Sequence, residues 1–302
     1  MISRPQTVWR FLLAGLCVIG GPVLAAKEAE NLLQNMQSAV HKLGYTGKLV
    51  FTKGQELAEY QIEHRPGNDS SSESVVRLNQ DGSNPVQQSQ QFSLINSSGL
   101  RLPAKQAYSI DMGGEAQVAG LPCKIVVIRP KDKLRYLHRY CINDEHGMLL
   151  KYSVMDRQQQ LLEQFMFTQL TIHSDSPNDS AQGMLAVADQ QPLVVEPESI
   201  DFDVLKSWSF NSLPAGFKVS SINDIPGKSG AYQVILSDGL TYVSVFIESG
   251  DPAANGSAQQ YPASGATNIL SKQVAGHVIT LVGEVPLATL QSIHNGLSYV
   301  SP

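Results

Sequence analysis

Charge is scarce in this chain. Asp, Glu, Lys and Arg make up 16% of its 302 residues, against roughly a quarter in ordinary soluble proteins. The place of the missing charge is taken by Ser, Gln, Asn and Gly, since the hydrophobic share of 42% is ordinary. That share excludes a disordered or fibrous chain and leaves material for one large domain or two of common size. Positive charge is the scarcer sign: 22 Lys and Arg against 27 Asp and Glu give a net −5. A nucleic-acid binder carries a basic footprint, so nucleic acid is not the expected partner.

Catalytic and cofactor motifs are also missing. There is no GxSxG elbow, no GxGxxG after a strand, no P-loop, and no HExxH or CxxC. His41, His64, His138, His146, His173, His277 and His294 are scattered, with no pair at the i, i+4 spacing of a metal site. The acid pairs Glu28/Glu30 and Asp144/Glu145 fall at a helix start and a turn, where carboxylates are expected anyway. The chain therefore reads as a binding protein without catalytic residues, cofactor or metal.

What is present begins with an export pattern. Arg4 and Arg10 precede an apolar run from Phe11 to Leu24, followed by Ala25 and Ala26. The run is about 14 residues long, short of the roughly 20 needed to span a bilayer, and it matches a cleavable secretory leader over residues 1–25. Leu16 precedes Cys17 where lipid attachment favours a small residue. Removing the leader takes away two arginines and no acid, so the net charge moves from −5 to −7. It also removes Cys17 and leaves Cys123 and Cys141, an even number that invites a disulfide.

The remaining chain divides into an N-terminal domain over residues 26–175, a linker over 176–202 rich in Ser, Asp, Asn and Pro, and a C-terminal domain over 203–302. Ala29, Leu32, Leu33, Met36, Ala39, Val40 and Leu43 mark one face of a helix, with Gly44 at the C′ position. Strands are expected at 45–53, 57–65, 75–78, 92–95, 108–110, 123–128, 134–142, 148–154 and 164–172. In the second domain, residues 232–248 form a hairpin with Asp238-Gly239 as a type I′ turn, 274–285 form one strand, and Pro286 opens a final helix. The fold class is α+β, mostly antiparallel β: a strongly curved sheet around a helix, then a smaller antiparallel sheet with a helix.

Two local features carry information. If a hairpin turns about Asp132, then Cys123 and Cys141 face each other at roughly 4.5–5.5 Å between Cα atoms, within disulfide reach. Two buried free thiols, or a register slipped by one residue, are the alternatives. In regular strands, Arg129, Lys131, Lys133, Arg135 and Arg139 share one face. They form either a solvated hairpin tip or a docking patch for an acidic partner segment or lipid phosphate groups.

The stretch 121–136, LPCKIVVIRPKDKLRY, with 148–156 and 162–165, is similar to the centre of the RseB/MucB family. In the second half 213–217 (LPAGF), 237–240 (SDGL) and 278–286 (VITLVGEVP) agree in the same order. The resemblance covers nearly the whole mature chain and implies a periplasmic negative regulator of the envelope-stress sigma factor. Such a protein has a lipoprotein-carrier-like open half-barrel and a smaller second domain. It binds the periplasmic domain of a membrane anti-sigma factor, shields it from site-1 proteolysis, and is released by lipid or lipopolysaccharide. A lipid or lipoprotein carrier is the alternative, disfavoured because simple carriers lack the second domain; self-association is left open. The sequence departs from the family in a shortened, Gln-, Ser- and Gly-rich segment between Leu78 and Cys123, which weakens the lipid expectation. Cys141 stands where some relatives are expected to carry a large apolar residue.

Overall fold

A computed structural model describes residues 21–67, 72–78, 85–88, 94, 103–173, 207–250 and 259–300. The expected linker, most of the leader and most of the strand expected at 92–95 lie outside the described residues. Helix α1 (Gly21–Lys42) opens the chain, and none of the described helices is long and apolar enough to cross a membrane. Nine strands follow: β1 (Gly44–Lys53), β2 (Glu56–Arg65), β3 (Ser72–Leu78), β4 (Pro85–Gln88), β5 (Tyr108–Val118), β6 (Leu121–Pro130), β7 (Leu137–Ile142), β8 (Leu149–Met155) and β9 (Leu161–His173). They form one antiparallel sheet in the order β4-β3-β2-β1-β9-β8-β7-β6-β5. Strands β4 and β5 are its edges, so the sheet curves without closing.

The apolar stripe of α1 fills that curve. Leu32, Leu33, Met36 and Val40 pack with Tyr45 and Leu49 of β1, Ile62 of β2, Val126 and Ile128 of β6, and Phe165 and Phe167 of β9. The expected spacing selects this buried face. The helix end differs from expectation, because Gly44 is already the first strand residue and has no left-handed φ. The helix closes instead through the Leu43 amide on the Ala39 carbonyl at 2.9 Å, while buried His64 holds the Leu43 carbonyl through Nδ1 at 2.7 Å.

The second domain contains β10 (Trp208–Phe210), β11 (Lys218–Asp224), β12 (Tyr232–Ser237), β13 (Tyr242–Ser249), β14 (Gln259–Ser264), β15 (Thr267–Val274), β16 (His277–Gly283), helix α2 (Leu287–Gly296) and β17 (Leu297–Tyr299). Six strands form a sheet ordered β11-β12-β13-β16-β15-β14, with β10 and β17 paired beside it. Leu290 and Ile293 of α2 join Val245, Ile247, Leu270 and Leu281 in a separate core.

Two turns depart from the sequence reading. Only Gly239 of the Asp238-Gly239 pair has a left-handed φ, so this turn is not type I′. The single strand expected over 274–285 is the end of β15 and all of β16, joined at Ala275-Gly276, where both residues have positive φ. Ala119-Gly120 turns β5 into β6 in the same way.

The β6–β7 register pairs Ile125 with Cys141 and Lys124 with Ile142, two residues away from a hairpin centred on Asp132. Cys123 and Cys141 are nevertheless joined, with Cα atoms 5.4 Å apart and a sequence separation of 18. Thiol titration of unreduced, denatured residues 26–302 is expected to find no free cysteine. Replacing both residues by alanine should lower the unfolding free energy by about 3 kcal/mol. Two titratable thiols in the native preparation would overturn the bond.

Candidate functional site

The connection from β6 to β7 is where the two domains meet. Asp132 Oδ1 accepts the Leu134 amide at 2.9 Å, which bends the chain out of strand geometry and turns Arg135 inward. The Arg135 side chain has no solvent exposure. Its Nε donates to Asp238 Oδ2 at 2.6 Å, one terminal nitrogen donates to Asp132, and the other donates to the Ala215 carbonyl. The guanidinium also lies over the rings of Tyr108 and Phe217, at 5.4 and 5.0 Å from their centroids. Tyr108, Asp132 and Arg135 belong to the first domain; Ala215, Phe217 and Asp238 belong to the second.

Asp238 is as fully engaged as its partner. Its Oδ1 accepts the Leu240 and Thr241 amides at 3.0 and 2.9 Å, which shapes the β12–β13 turn. Its Oδ2 also accepts the Tyr108 hydroxyl at 2.9 Å, and its carbonyl accepts the Ala104 amide at 3.2 Å. Burial, and next the Asp238 carboxylate, push the Tyr108 phenol pKa well up, so it stays a donor at any physiological pH. A buried ion pair with so many satisfied atoms is costly to break from one side, by about 3–5 kcal/mol.

Further contacts tie the domains. Thr289 Oγ1 donates to the Leu134 carbonyl, and Asn268 Nδ2 donates to the Tyr136 hydroxyl at 3.0 Å. Ala266 packs on Tyr136 and Val154, and Glu163 Oε1 accepts its amide at 2.9 Å and pairs with Lys53 at 3.2 Å. Lys53 in turn donates to Thr267 Oγ1 at 3.1 Å.

Beside this junction an open cleft of about 550 Å³ is lined by Arg129, Lys131, Lys133, Leu137, Asp156 and Arg157, among others. Of the five cations expected on one face, Arg139 alone is absent from the lining, and Arg135 backs the cleft with no exposed surface. Arg135 belongs to the buried hub, because the 131–135 segment is a bend and strand alternation does not hold through it. Arg129 lies 3.6 Å from Asp111, and Lys131 donates to the Lys105 carbonyl at 2.6 Å. Lys133 is exposed at the rim, while Arg139, in mid-strand between Val127 and Ser153, does not line the cleft. Arg157, which sequence reasoning missed, joins from the β8–β9 turn. No local signal marks it, since its place depends on how two turns meet.

Two family descriptions match this chain: the MucB/RseB N-terminal domain over residues 28–103 and 100–185, and the MucB/RseB C-terminal domain over 203–298. The chain belongs to the MucB/RseB family. The split in the N-terminal match falls between Leu78 and Cys123. Among relatives of this MucB/RseB chain is the Sigma factor AlgU regulatory protein MucB of Pseudomonas aeruginosa, 27% identical, with 93% of this chain and 94% of that one covered. The Sigma-E factor regulatory protein RseB of Haemophilus influenzae is 23% identical, with 94% and 96% covered. Among solved structures, the P. aeruginosa MucA/MucB complex gives a TM-score of 0.66 at 22% identity. MucB in complex with MucA(peri) gives 0.65 at 23%; both cover 91% of this chain and all of theirs. The half-barrel with an appended α+β domain is therefore the MucB fold.

No group of three His, Cys, Asp or Glu side chains suited to a metal occurs among the described residues of this MucB/RseB chain. One buried base sits near the hub. His138 on β7 contacts the Tyr152 hydroxyl through Nδ1 at 2.7 Å and stacks on its ring. Burial lowers its pKa to about 4, with Asp238 pulling weakly upward. The unfolded chain takes up this proton near pH 6.5, whereas the folded chain resists it until about pH 4. Stability should therefore fall through that window as pH drops, by up to about 3 kcal/mol. A His138→Gln variant should flatten the dependence, as read by thermal denaturation at stepped pH. An unchanged slope in that variant would assign the effect to other groups.

Proposed function

We propose that this chain is an exported periplasmic regulator that binds the periplasmic region of a membrane anti-sigma factor. Bound there, it withholds that region from the protease that makes the first cut, and it acts by binding rather than catalysis. The observation that carries the reading is likeness of fold over the whole two-domain body to MucB in complex with MucA(peri), with that chain fully covered. The regulatory names of its full-length relatives and the export pattern in residues 1–25 support the same reading. The carrier alternative finds little support in the curved sheet. Among the described residues its concave face is occupied by α1, with Leu94 fully buried in the same core.

Purified residues 26–302 should bind the cognate anti-sigma periplasmic segment with a Kd below about 10 μM by calorimetry, and should slow its cleavage by the site-1 protease. Absence of heat and of protection would sink the reading. Lipopolysaccharide added to the preformed complex tests release separately, and retention of the complex would remove that element alone.

The cleft cations are assigned to an acidic stretch of this partner. Exposed charges at an interface act mainly on the association rate and its salt dependence. Lys133→Glu/Arg157→Glu should slow association about tenfold at low salt and converge with the wild type at high salt. Unaltered association kinetics would mark these cations as solvated surface only.

A further inference from the structure

We infer that Arg135 is a positioning residue for partner binding: it locks the two domains into one orientation, so that a binding surface made by both exists before the partner arrives. The inference rests on the proposed binding function, but its geometric half can be tested without any partner. Three contacts of the guanidinium divide between domains. Asp132 comes from its own bend, and Asp238 and the Ala215 carbonyl come across the junction. Either domain alone satisfies only part of this group. Separating them strips Arg135 of Asp238 and Ala215, and leaves Asp238 without Arg135 and without the Tyr108 hydroxyl.

The planar fork matters beyond its charge. Nε and the two terminal nitrogens point in fixed directions, and each meets an acceptor on a different chain segment. The guanidinium carbon also lies over the ring of Tyr108 from one domain and that of Phe217 from the other. A rotation of one domain against the other therefore breaks several of these contacts together. An ammonium on a flexible stem could follow such a rotation; a guanidinium cannot. Fit at the junction is also tight in backbone terms. A Cβ built on Gly216, which has φ +89°, would stand 3.1 Å from the Ala104 Cβ and 3.5 Å from that of Ala107.

The consequence for binding is a population effect. A partner that needs both domains in one arrangement binds with an apparent Kd raised by the inverse of the fraction so arranged. With the lock intact that fraction is near one. Without it the orientations spread within what the remaining contacts allow: those of Glu163, Lys53, Asn268 and Thr289, the Ala104 amide on the Asp238 carbonyl, and the packing of Tyr136 on Ala266.

Arg135→Met alone strands the Asp238 charge and risks misfolding, so the decisive variant is Arg135→Met/Asp238→Asn, which removes both charges together. Asn keeps an oxygen to cap the Leu240 and Thr241 amides. Nitroxide labels on cysteines placed at exposed Glu115 and Ser220, one per domain, report the interdomain distance by pulsed electron resonance. In the wild-type background one narrow distribution is expected, and in the double variant one at least about twice as broad. The double variant should keep the midpoints of the separate domain cores, and should lose about tenfold in affinity for the anti-sigma periplasmic segment. Arg135→Lys is expected to broaden the distribution as well, because it keeps the charge and loses the fork. A narrow wild-type-like distribution in the double variant would overturn the lock. A broadened distribution with unchanged affinity would overturn the link between lock and binding while leaving the lock itself. If the wild type binds no anti-sigma segment at all, the functional reading fails and the distance measurement still decides the geometry.

Discussion

A guanidinium with no access to water has to be answered by the protein, and much of the domain arrangement follows from how Arg135 is answered. Leaving such a charge uncompensated costs about 3–5 kcal/mol, a large part of one domain's margin of stability. The first domain supplies Asp132 and the Tyr108 ring, and the rest must come from outside it. The second domain meets this demand with a turn rather than a strand face. Asp238 therefore both shapes the β12–β13 connection and reaches across the junction. Its carboxylate is shared so fully that the turn, the ion pair and the Tyr108 hydroxyl rise or fall together.

One contact point would leave the domains free to swivel, and here the contact extends along the sheet, with Tyr136 beside the hub packed on Ala266. The hub sits on the β6–β7 connection, while Lys53 and Glu163 grip the β14–β15 turn from β1 and β9. In the sheet order β9 is two strands from β7, roughly 10 Å at normal strand spacing. Anchoring at both regions fixes rotation as well as position. The hub supplies most of the specificity, since Glu163 and Lys53 pair with each other within the first domain. The Ala266 amide and the Thr289 and Asn268 side chains then align the second domain without introducing another charge to bury.

The elements governed by a local period were legible in the sequence. The buried face of α1, the alternation of β2 and the apolar positions of α2 follow from spacing alone, and they bring most of the core with them. The expected cysteine pair is joined in the structure, although the assumed hairpin centre missed the β6–β7 register by two residues. Positions governed by distant partners were not legible. Arg135 looked like one of five cations on a strand face, yet its fate is set by a carboxylate 103 residues away. Ala275-Gly276 carries little turn signal, because alanine seldom takes a positive φ, whereas Asp-Gly is a familiar one. Both pairs make turns: Ala-Gly a tight one, and Asp-Gly a wider one within the expected 232–248 hairpin, where Asp238 also serves the junction.

This reassignment changes what the basic segment can offer a partner. Arg135 is neutralised in the interior by Asp238 and Asp132. Arg129 stands near Asp111, and Lys131 is held by a carbonyl. Lys133 therefore projects at the rim, with Arg157 opposite on another turn. Two exposed cations on a chain of net charge −5 make a weak, local attraction rather than a broad basic field. Such an arrangement can steer an acidic segment toward the junction but cannot hold it there. Affinity must then come from the surface that the locked domains present together, which makes the buried charge of Arg135 the more consequential one, although no partner can touch it.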